Sequence, residues 1–81
     1  MKIIEITVQG AAAYNATIRR QERFIEVRLV GPLGAEKRMA DAGNQDDQYE
    51  AARWMQRILD GGRGTNSMIN DYYRLIQQLA D

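Results

Sequence analysis

The last third of the chain carries two amphipathic helical patterns, over residues 46–59 and 66–79, joined by a glycine-rich segment at 60–64. In each pattern, apolar residues recur at helical spacing on one side while charged and amide residues occupy the other. The apolar positions are Tyr49, Ala52, Met55, Ile58 and Leu59 in the first pattern, and Met68, Ile69, Tyr72, Ile76 and Leu79 in the second. Two short helices cannot bury both apolar sides against each other alone, so the preceding residues must supply an opposing surface.

Residues 1–42 supply that surface as a series of short strands. Residues 3–8, 14–20 and 24–30 alternate apolar and polar side chains with period two, which is typical of half-buried strands. The segment 31–34, Gly-Pro-Leu-Gly, predicts a turn, and residues 35–41 then form a weaker, charged strand suited to a sheet edge. The side chains predicted to face the helices are Ile4, Ile6, Val8, Ala16, Ile18, Ile25, Val27, Leu29 and Met39.

The predicted fold is a single α+β domain over residues 1–81. It consists of a four-stranded antiparallel sheet packed on one face by two C-terminal helices, in the order β-β-β-β-α-α. Asn44 or Asp46 is expected to cap the first helix, and a glycine of the segment 60–64 to end it. Trp54 lies beside the apolar stripe of that helix, where it either closes the edge of the core or anchors a partner. The second face of the sheet is left for water or a partner.

The amino-acid composition argues against most kinds of active site. The sequence contains neither cysteine nor histidine, so the commonest zinc ligands, general bases and nucleophilic triads are absent. The remaining acidic, basic and hydroxyl residues form no recognisable nucleophile–base pair or metal-ligand set. We therefore expect a protein that is not an enzyme and that uses no metal or cofactor.

Charge and hydropathy narrow the class of partner. Eleven basic and eleven acidic residues give a formal net charge of zero, which suits neither a dedicated DNA-binding protein nor an acidic DNA mimic. Charged residues within the first five positions and the lack of a long apolar run predict a cytoplasmic protein without a membrane-spanning segment. The segment Gly61-Gly62-Arg63-Gly64 has neither of the known phosphate-loop spacings, so we interpret it as a helix connector. Anion binding beside Arg63, at the start of the second helix, is the alternative.

The face of the predicted sheet away from the helices is the candidate binding surface. Its candidate partner-binding residues are Asn15, Thr17, Arg19, Glu26, Arg28, Val30 and Arg38. One interpretation is a solvated face with cross-strand ion pairs such as Glu26 with Arg19. A second is a surface that binds a protein partner, for which charge reversal at Arg19 and Arg28 is expected to abolish binding without lowering the melting temperature. A third is a single-stranded nucleic-acid surface in which Tyr14 and Phe24 stack on bases.

Several short matches occur in the same order as in a known family. They are the opening Met1-Lys2, Tyr14-Asn15, the strand from Ile25 to Leu29 with Arg28, Trp54, the glycine-rich connector 61–64, and Met68, Asn70 and Asp71. On these residues and on the order of its elements, the chain resembles the small phage-encoded anti-CRISPR proteins. More specifically, it is similar to inhibitors of the type I-F surveillance complex, in which two helices back a four-stranded sheet. The resemblance covers nearly the whole chain at low identity.

The resemblance implies a phage or mobile-element inhibitor that works in the cytoplasm of a host bacterium. Members of the family occupy the backbone subunit of the CRISPR surveillance complex, so that target DNA cannot pair with the guide RNA. They use aromatic and acidic residues of the exposed sheet face, at positions that correspond here to Ile6, Arg19 and Val30, and none of the three keeps the residue type of the family. Another bacterial defence protein is therefore an alternative partner.

Two further functions are compatible with the same surface. The first is a small nucleic-acid-binding accessory or regulatory protein that uses the basic sheet face, although direct nucleic-acid binding is the less favoured interpretation. The second is a small oligomeric scaffold joined through the fourth strand. We expect a monomer or a weak homodimer.

Overall fold

The computed structural model describes residues 3–9, 13–61 and 66–81, with side chains described at residues 3, 14–61 and 66–81. The strands are β1 (Ile3–Gln9), β2 (Ala13–Gln21), β3 (Phe24–Gly31) and β4 (Gly34–Asp41), followed by helices α1 (Gln45–Asp60) and α2 (Asn66–Gln77). The strands pair antiparallel in the order β1-β2-β3-β4. The α+β class, the antiparallel sheet and the two C-terminal helices are thus confirmed.

Both helices contribute their apolar sides to one core against the sheet. Strands β2, β3 and β4, whose side chains are described from Tyr14 onward, supply residues to it from one face, as expected for a sheet with one covered face. The core residues of the strands are Ala16, Ile18, Ile25, Val27, Leu29 and Ala40, and those of the helices include Ala51, Ala52, Met55, Leu59, Ile69, Tyr72 and Ile76. Burial of each larger apolar side chain contributes about 1.5–3 kcal/mol before entropic costs. Trp54 is half-buried against this cluster, at the edge of the core.

The ends of α1 are fixed by the residues that the sequence indicated. Asn44 has extended backbone dihedral angles, and its side chain accepts a hydrogen bond from the Asp47 backbone N–H at 3.1 Å. Asp46 and Asp47 lie in the first turn, where a negative charge is favourable. Gly61 ends the helix in the left-handed conformation, with φ of 62°. The connector residues 62–64 and the proposed anion site beside Arg63 lie outside the described residues.

The prediction for β4 was wrong about which side chains face the helices. Ala40 is opposite Ile25 in the sheet register and is fully buried, whereas Met39 is opposite Glu26 and is 39% exposed. A shift of one residue exchanges the two faces of a strand. Because β4 has few apolar residues, its sequence does not show which alternate side chains face the core. The predicted inward side chains of Ile4, Ile6 and Val8 lie outside the described side chains.

A buried glutamine joins α1 to the end of β4. The Gln48 side-chain amide donates hydrogen bonds to the backbone carbonyls of Asp41 and Ala42, at 3.0 and 2.9 Å. Because Gln48 is only 2% exposed, these bonds replace its contacts with water, and the same two carbonyls also accept backbone N–H bonds from Asn44 and Asp81. They therefore hold the start of α1 in a defined position beside β4.

Candidate functional site

The face of the sheet opposite the core, here called the open face, carries the side chains that alternate with the core residues. Directly paired residues of antiparallel strands project to the same face, so the register arranges these side chains in rows across the sheet. The described side chains of the open face are those of Ile3 of β1; Asn15, Thr17, Arg19 and Gln21 of β2; Phe24, Glu26, Arg28 and Val30 of β3; and Ala35, Lys37, Met39 and Asp41 of β4.

One row across all four strands is formed by Ile3, Arg19, Glu26 and Met39. At its centre, Arg19 donates from Nη2 and Nε to Glu26 Oε2, at 2.9 and 3.2 Å. The predicted cross-strand ion pair between these residues is therefore confirmed. When the Gln21 amide is oriented to satisfy its neighbours, it donates to Glu26 Oε2 at 3.3 Å and accepts from Arg19 Nη2 at 2.9 Å. These contacts fix the positions of three polar side chains before any partner binds.

Glu26 is unusually buried for a charged residue on an exposed sheet face, being only 5% exposed. A carboxylate removed from water needs strong hydrogen-bond donors in place of water. Arg19 supplies them and itself stays in contact with solvent, since its side chain is 39% exposed. The centre of the open face is therefore a rigid ion pair rather than two mobile charges.

Exposed apolar side chains surround this ion pair. Ile3 and Met39 flank it in the same row, with 52% and 39% exposure. Phe24, two residues from Glu26 along β3, is 41% exposed, and the Arg23 guanidinium lies 5.9 Å from its ring centroid. Val30, also 41% exposed, extends the apolar surface at the other end of β3. Partly exposed apolar groups around a fixed polar centre are typical of surfaces that bind another protein.

The next row carries positive charge. Thr17, Arg28 and Lys37 are paired across β2, β3 and β4, and both basic residues are exposed. Beyond this row, Asn15, Val30 and Ala35 form a third, less charged one. The structure thus brings six of the seven predicted partner-binding residues onto one face: Asn15, Thr17, Arg19, Glu26, Arg28 and Val30.

The seventh, Arg38, was assigned to the wrong face. It is paired with Val27, a core residue, and therefore projects toward the helices. Its Nη2 lies 3.3 Å from Asp47 Oδ1, while Asp47 Oδ2 accepts a 2.7 Å hydrogen bond from the Asp41 backbone N–H. Arg38 therefore connects β4 to the first turn of α1 and is not part of the open face.

The two aromatic residues considered for nucleic-acid stacking lie on opposite faces of the sheet. Phe24 is on the open face, but Tyr14 is on the helix side, where its ring occupies the space next to Gly31. Among the described side chains, Phe24 is therefore the only aromatic group on the open face. Proteins that bind single strands usually stack successive bases on several aromatic rings. This arrangement favours a protein partner over a nucleic acid.

The set of candidate partner-binding residues did not include Ile3, Phe24, Lys37 and Met39, which also lie on the open face. For Lys37 and Met39 of β4, the length of the turn between β3 and β4 would have indicated the correct face. The loop between β3 and β4 consists of Pro32 and Leu33, so Gly31 is paired with Gly34. A two-residue loop fixes the register of a hairpin. Counting outward from it pairs Arg28 with Lys37 and Glu26 with Met39.

A second concave surface lies at the opposite end of β4 from its turn with β3. A shallow cleft of about 640 Å³, where the end of β4 meets the start of α1, includes Asp41, Asp46 and Asp81 in its lining. The described residues contain no cluster of three or more potential ligands that could hold a metal ion. The pKa of Tyr72 is raised, chiefly by burial and secondarily by the Asp60 carboxylate. This tyrosine is a core residue.

The chain has no match among protein-family models, curated proteins or solved structures. Neither described helix is long and apolar enough to cross a membrane.

Proposed function

We propose that this protein is a phage or mobile-element inhibitor that binds a bacterial CRISPR surveillance complex by protein–protein contact and blocks its access to target DNA. The open face is the proposed contact surface, and a backbone subunit of the complex is the proposed partner. Inhibition by occupancy needs no catalytic group, which agrees with a sequence that lacks cysteine and histidine. The choice of the surveillance complex rests on the resemblance to the type I-F inhibitors.

The observation that supports partner binding is the composition of the open face. A fixed Arg19–Glu26 ion pair is bordered by Ile3, Phe24 and Met39, each with more than a third of its surface exposed. Binding hot spots in protein complexes commonly combine apolar and arginine side chains within a region from which water is excluded. A standard interface buries roughly 800 Å² on each partner, so a sheet face is a suitable size.

The test is a pull-down combined with an assay of CRISPR interference. The tagged protein is expressed in a bacterium with a type I-F system, co-purifying proteins are identified, and plating of a targeted phage is measured. Wild-type protein is expected to recover backbone subunits and to restore phage plating. The double variant Phe24→Ser/Met39→Ser is expected to lose both effects, because both apolar side chains border the ion pair.

The matched control is Leu33→Ser, which removes an apolar side chain that is 98% exposed in the β3–β4 turn. This variant should behave as wild type. The earlier expectation that charge reversal at Arg19 leaves the melting temperature unchanged is corrected, because Arg19 hydrogen-bonds the buried Glu26 and its replacement would also disturb the sheet. Arg19 is therefore not used for this test. Recovery of nucleic acid alone, lost steeply as salt rises, would instead support the nucleic-acid-binding alternative. Normal binding by the Phe24→Ser/Met39→Ser variant would move the contact surface away from the open face.

A further inference from the structure

Arg28 and Lys37 form a like-charge pair at the centre of the second row of the open face. They are direct register partners on β3 and β4, and both side chains are exposed. Directly opposed residues of antiparallel strands have Cβ atoms about 4.5–5.5 Å apart, at which distance like charges destabilise the sheet. The pair is therefore unfavourable for folding unless another charge compensates it.

The described side chains around the pair provide no such compensation. Thr17, the register partner of Arg28 on β2, is uncharged. Glu26, two residues from Arg28 on the same strand, already accepts two hydrogen bonds from Arg19. Among the described residues, neither Arg28 nor Lys37 forms an ion pair. With respect to the described side chains, which do not include that of Glu5 beside Thr17 in the same row, two cationic groups thus remain available on the open face.

The two cations border a shallow depression of about 250 Å³, whose lining is completed by Ala35 and Glu36. Glu36 is opposite Leu29 in the register, so it belongs to the other side of β4, and it forms no ion pair with Arg28 or Lys37. Small-molecule pockets are usually about 300–1,000 Å³ and enclosed, so this depression suits a single side chain of a larger partner.

From this arrangement we infer that Arg28 and Lys37 recognise carboxylate side chains on an acidic segment of a protein partner. The inference rests on the proposed use of the open face and names the chemistry of its partner. Arginine binds carboxylates through paired N–H groups, and lysine adds a second positive charge beside it. A protein is favoured over a nucleic acid because Val30 and Met39 expose apolar surface on either side, while Phe24 is the only aromatic group among the described side chains of this face.

The test uses a hexaglutamate peptide as the probe and follows the backbone amide signals of the protein by NMR. Addition of the peptide should shift the signals of Arg28 and Lys37 more than those of the helices. The double variant Arg28→Gln/Lys37→Gln should bind the peptide at least about tenfold more weakly, because each lost charge-assisted hydrogen bond weakens binding by roughly that factor.

The control variant is Arg57→Gln/Arg74→Gln, which removes two exposed positive charges from the helices. Both double variants change the formal net charge from zero to −2, so net charge alone cannot explain a difference between them. The control should bind hexaglutamate as wild type does. An equal loss of hexaglutamate affinity in the two double variants, or no loss of affinity in Arg28→Gln/Lys37→Gln, would overturn the inference.

Two further measurements make the test independent of the proposed inhibitor function. Because the pair is repulsive, Arg28→Gln/Lys37→Gln should have a melting temperature no lower than that of wild type, and a clear decrease would show a structural role instead. Tighter binding of oligothymidylate than of hexaglutamate at the same amides would assign the site to nucleic acid and overturn the inference. Site-specific glutamate binding without recovery of the surveillance complex would support this inference while contradicting the proposed function.

Discussion

Arg19 and Glu26 are direct partners across β2 and β3, yet the two ends of their ion pair differ in burial. The Glu26 side chain is 6% exposed and that of Arg19 is 39% exposed. The carboxylate thus depends on protein donors, whereas the guanidinium also reaches water. Because of this asymmetry, replacing Arg19 and replacing Glu26 should change the stability of the folded protein by different amounts.

The first prediction concerns that asymmetry. Arg19→Met keeps most of the aliphatic stem but leaves a buried carboxylate without its cation, so it should lower the free energy of unfolding by about 2–3 kcal/mol. Glu26→Gln keeps the shape of the side chain and leaves Arg19 in contact with solvent, so the free energy of unfolding should fall by only about 1 kcal/mol. Urea denaturation of both variants and of the double variant measures the coupling. Equal costs for the two single variants would contradict this account.

The second prediction separates Arg38 from the open face. Arg38→Met removes the contact with Asp47 on the helix side of β4, which should cost about 0.5–1 kcal/mol of stability and leave partner binding unchanged. Arg28→Met is the matched variant on the open face, and it should weaken binding without a loss of stability. Denaturation and pull-down are measured on both proteins. Loss of binding in Arg38→Met at full stability would return Arg38 to the contact surface.

The third prediction concerns Gly31, which lies against the Tyr14 ring. A methyl group added at Gly31 would overlap the ring, so Gly31→Ala should destabilise the protein by about 1–3 kcal/mol. Gly43→Ala is the control, because the nearest atoms to its added methyl group are 3.6 and 3.7 Å away. In a Tyr14→Ala background the cost of Gly31→Ala should fall sharply, since the overlapping ring is gone. An unchanged cost would show that the glycine is needed for a different reason.

The fourth prediction concerns the alkaline limit of stability. Burial, followed by the Asp60 and Asp71 carboxylates, raises the pKa of Tyr72 in the folded protein, so the folded state holds this proton more tightly than the unfolded state. The resulting stabilisation is complete below the unfolded pKa of about 10 and is lost as the pH rises through the folded pKa. Denaturation from about pH 9 to pH 11 should therefore show a steeper decline for wild type than for Tyr72→Phe. Tyr73→Phe, which retains Tyr72, should decline as wild type does.

The local patterns of the sequence were sufficient for the class of fold and the ends of α1, whereas α2 ends at Gln77 rather than at the predicted residue 79. The period-two segments became strands β1 to β3, and the apolar stripes around Met55 and Ile76 became the inner sides of the helices. Asn44, as one of two candidates, and a glycine of the segment 60–64 were identifiable as helix ends because capping depends on backbone geometry within a few residues. Six of the seven candidate surface residues followed from strand alternation alone.

Features that depend on neighbours distant in the sequence needed the tertiary structure. The burial of Gln48 is explained only by the carbonyls of the segment before α1, which its amide reaches once the helix has packed. The sides taken by Arg38 and Met39 depend on the register of β4, because its sequence has too little alternation to indicate a face.

The sequence by itself determined that the chain forms strands followed by two helices, and that it contains neither cysteine nor histidine. Only the tertiary structure decided which charges meet. Strand pairing placed Arg19 beside Glu26, where opposite charges attract, and Arg28 beside Lys37, where like charges repel. The physical reason is that local periodicity depends on neighbours along the chain, whereas electrostatic pairing depends on distances set by the register between strands.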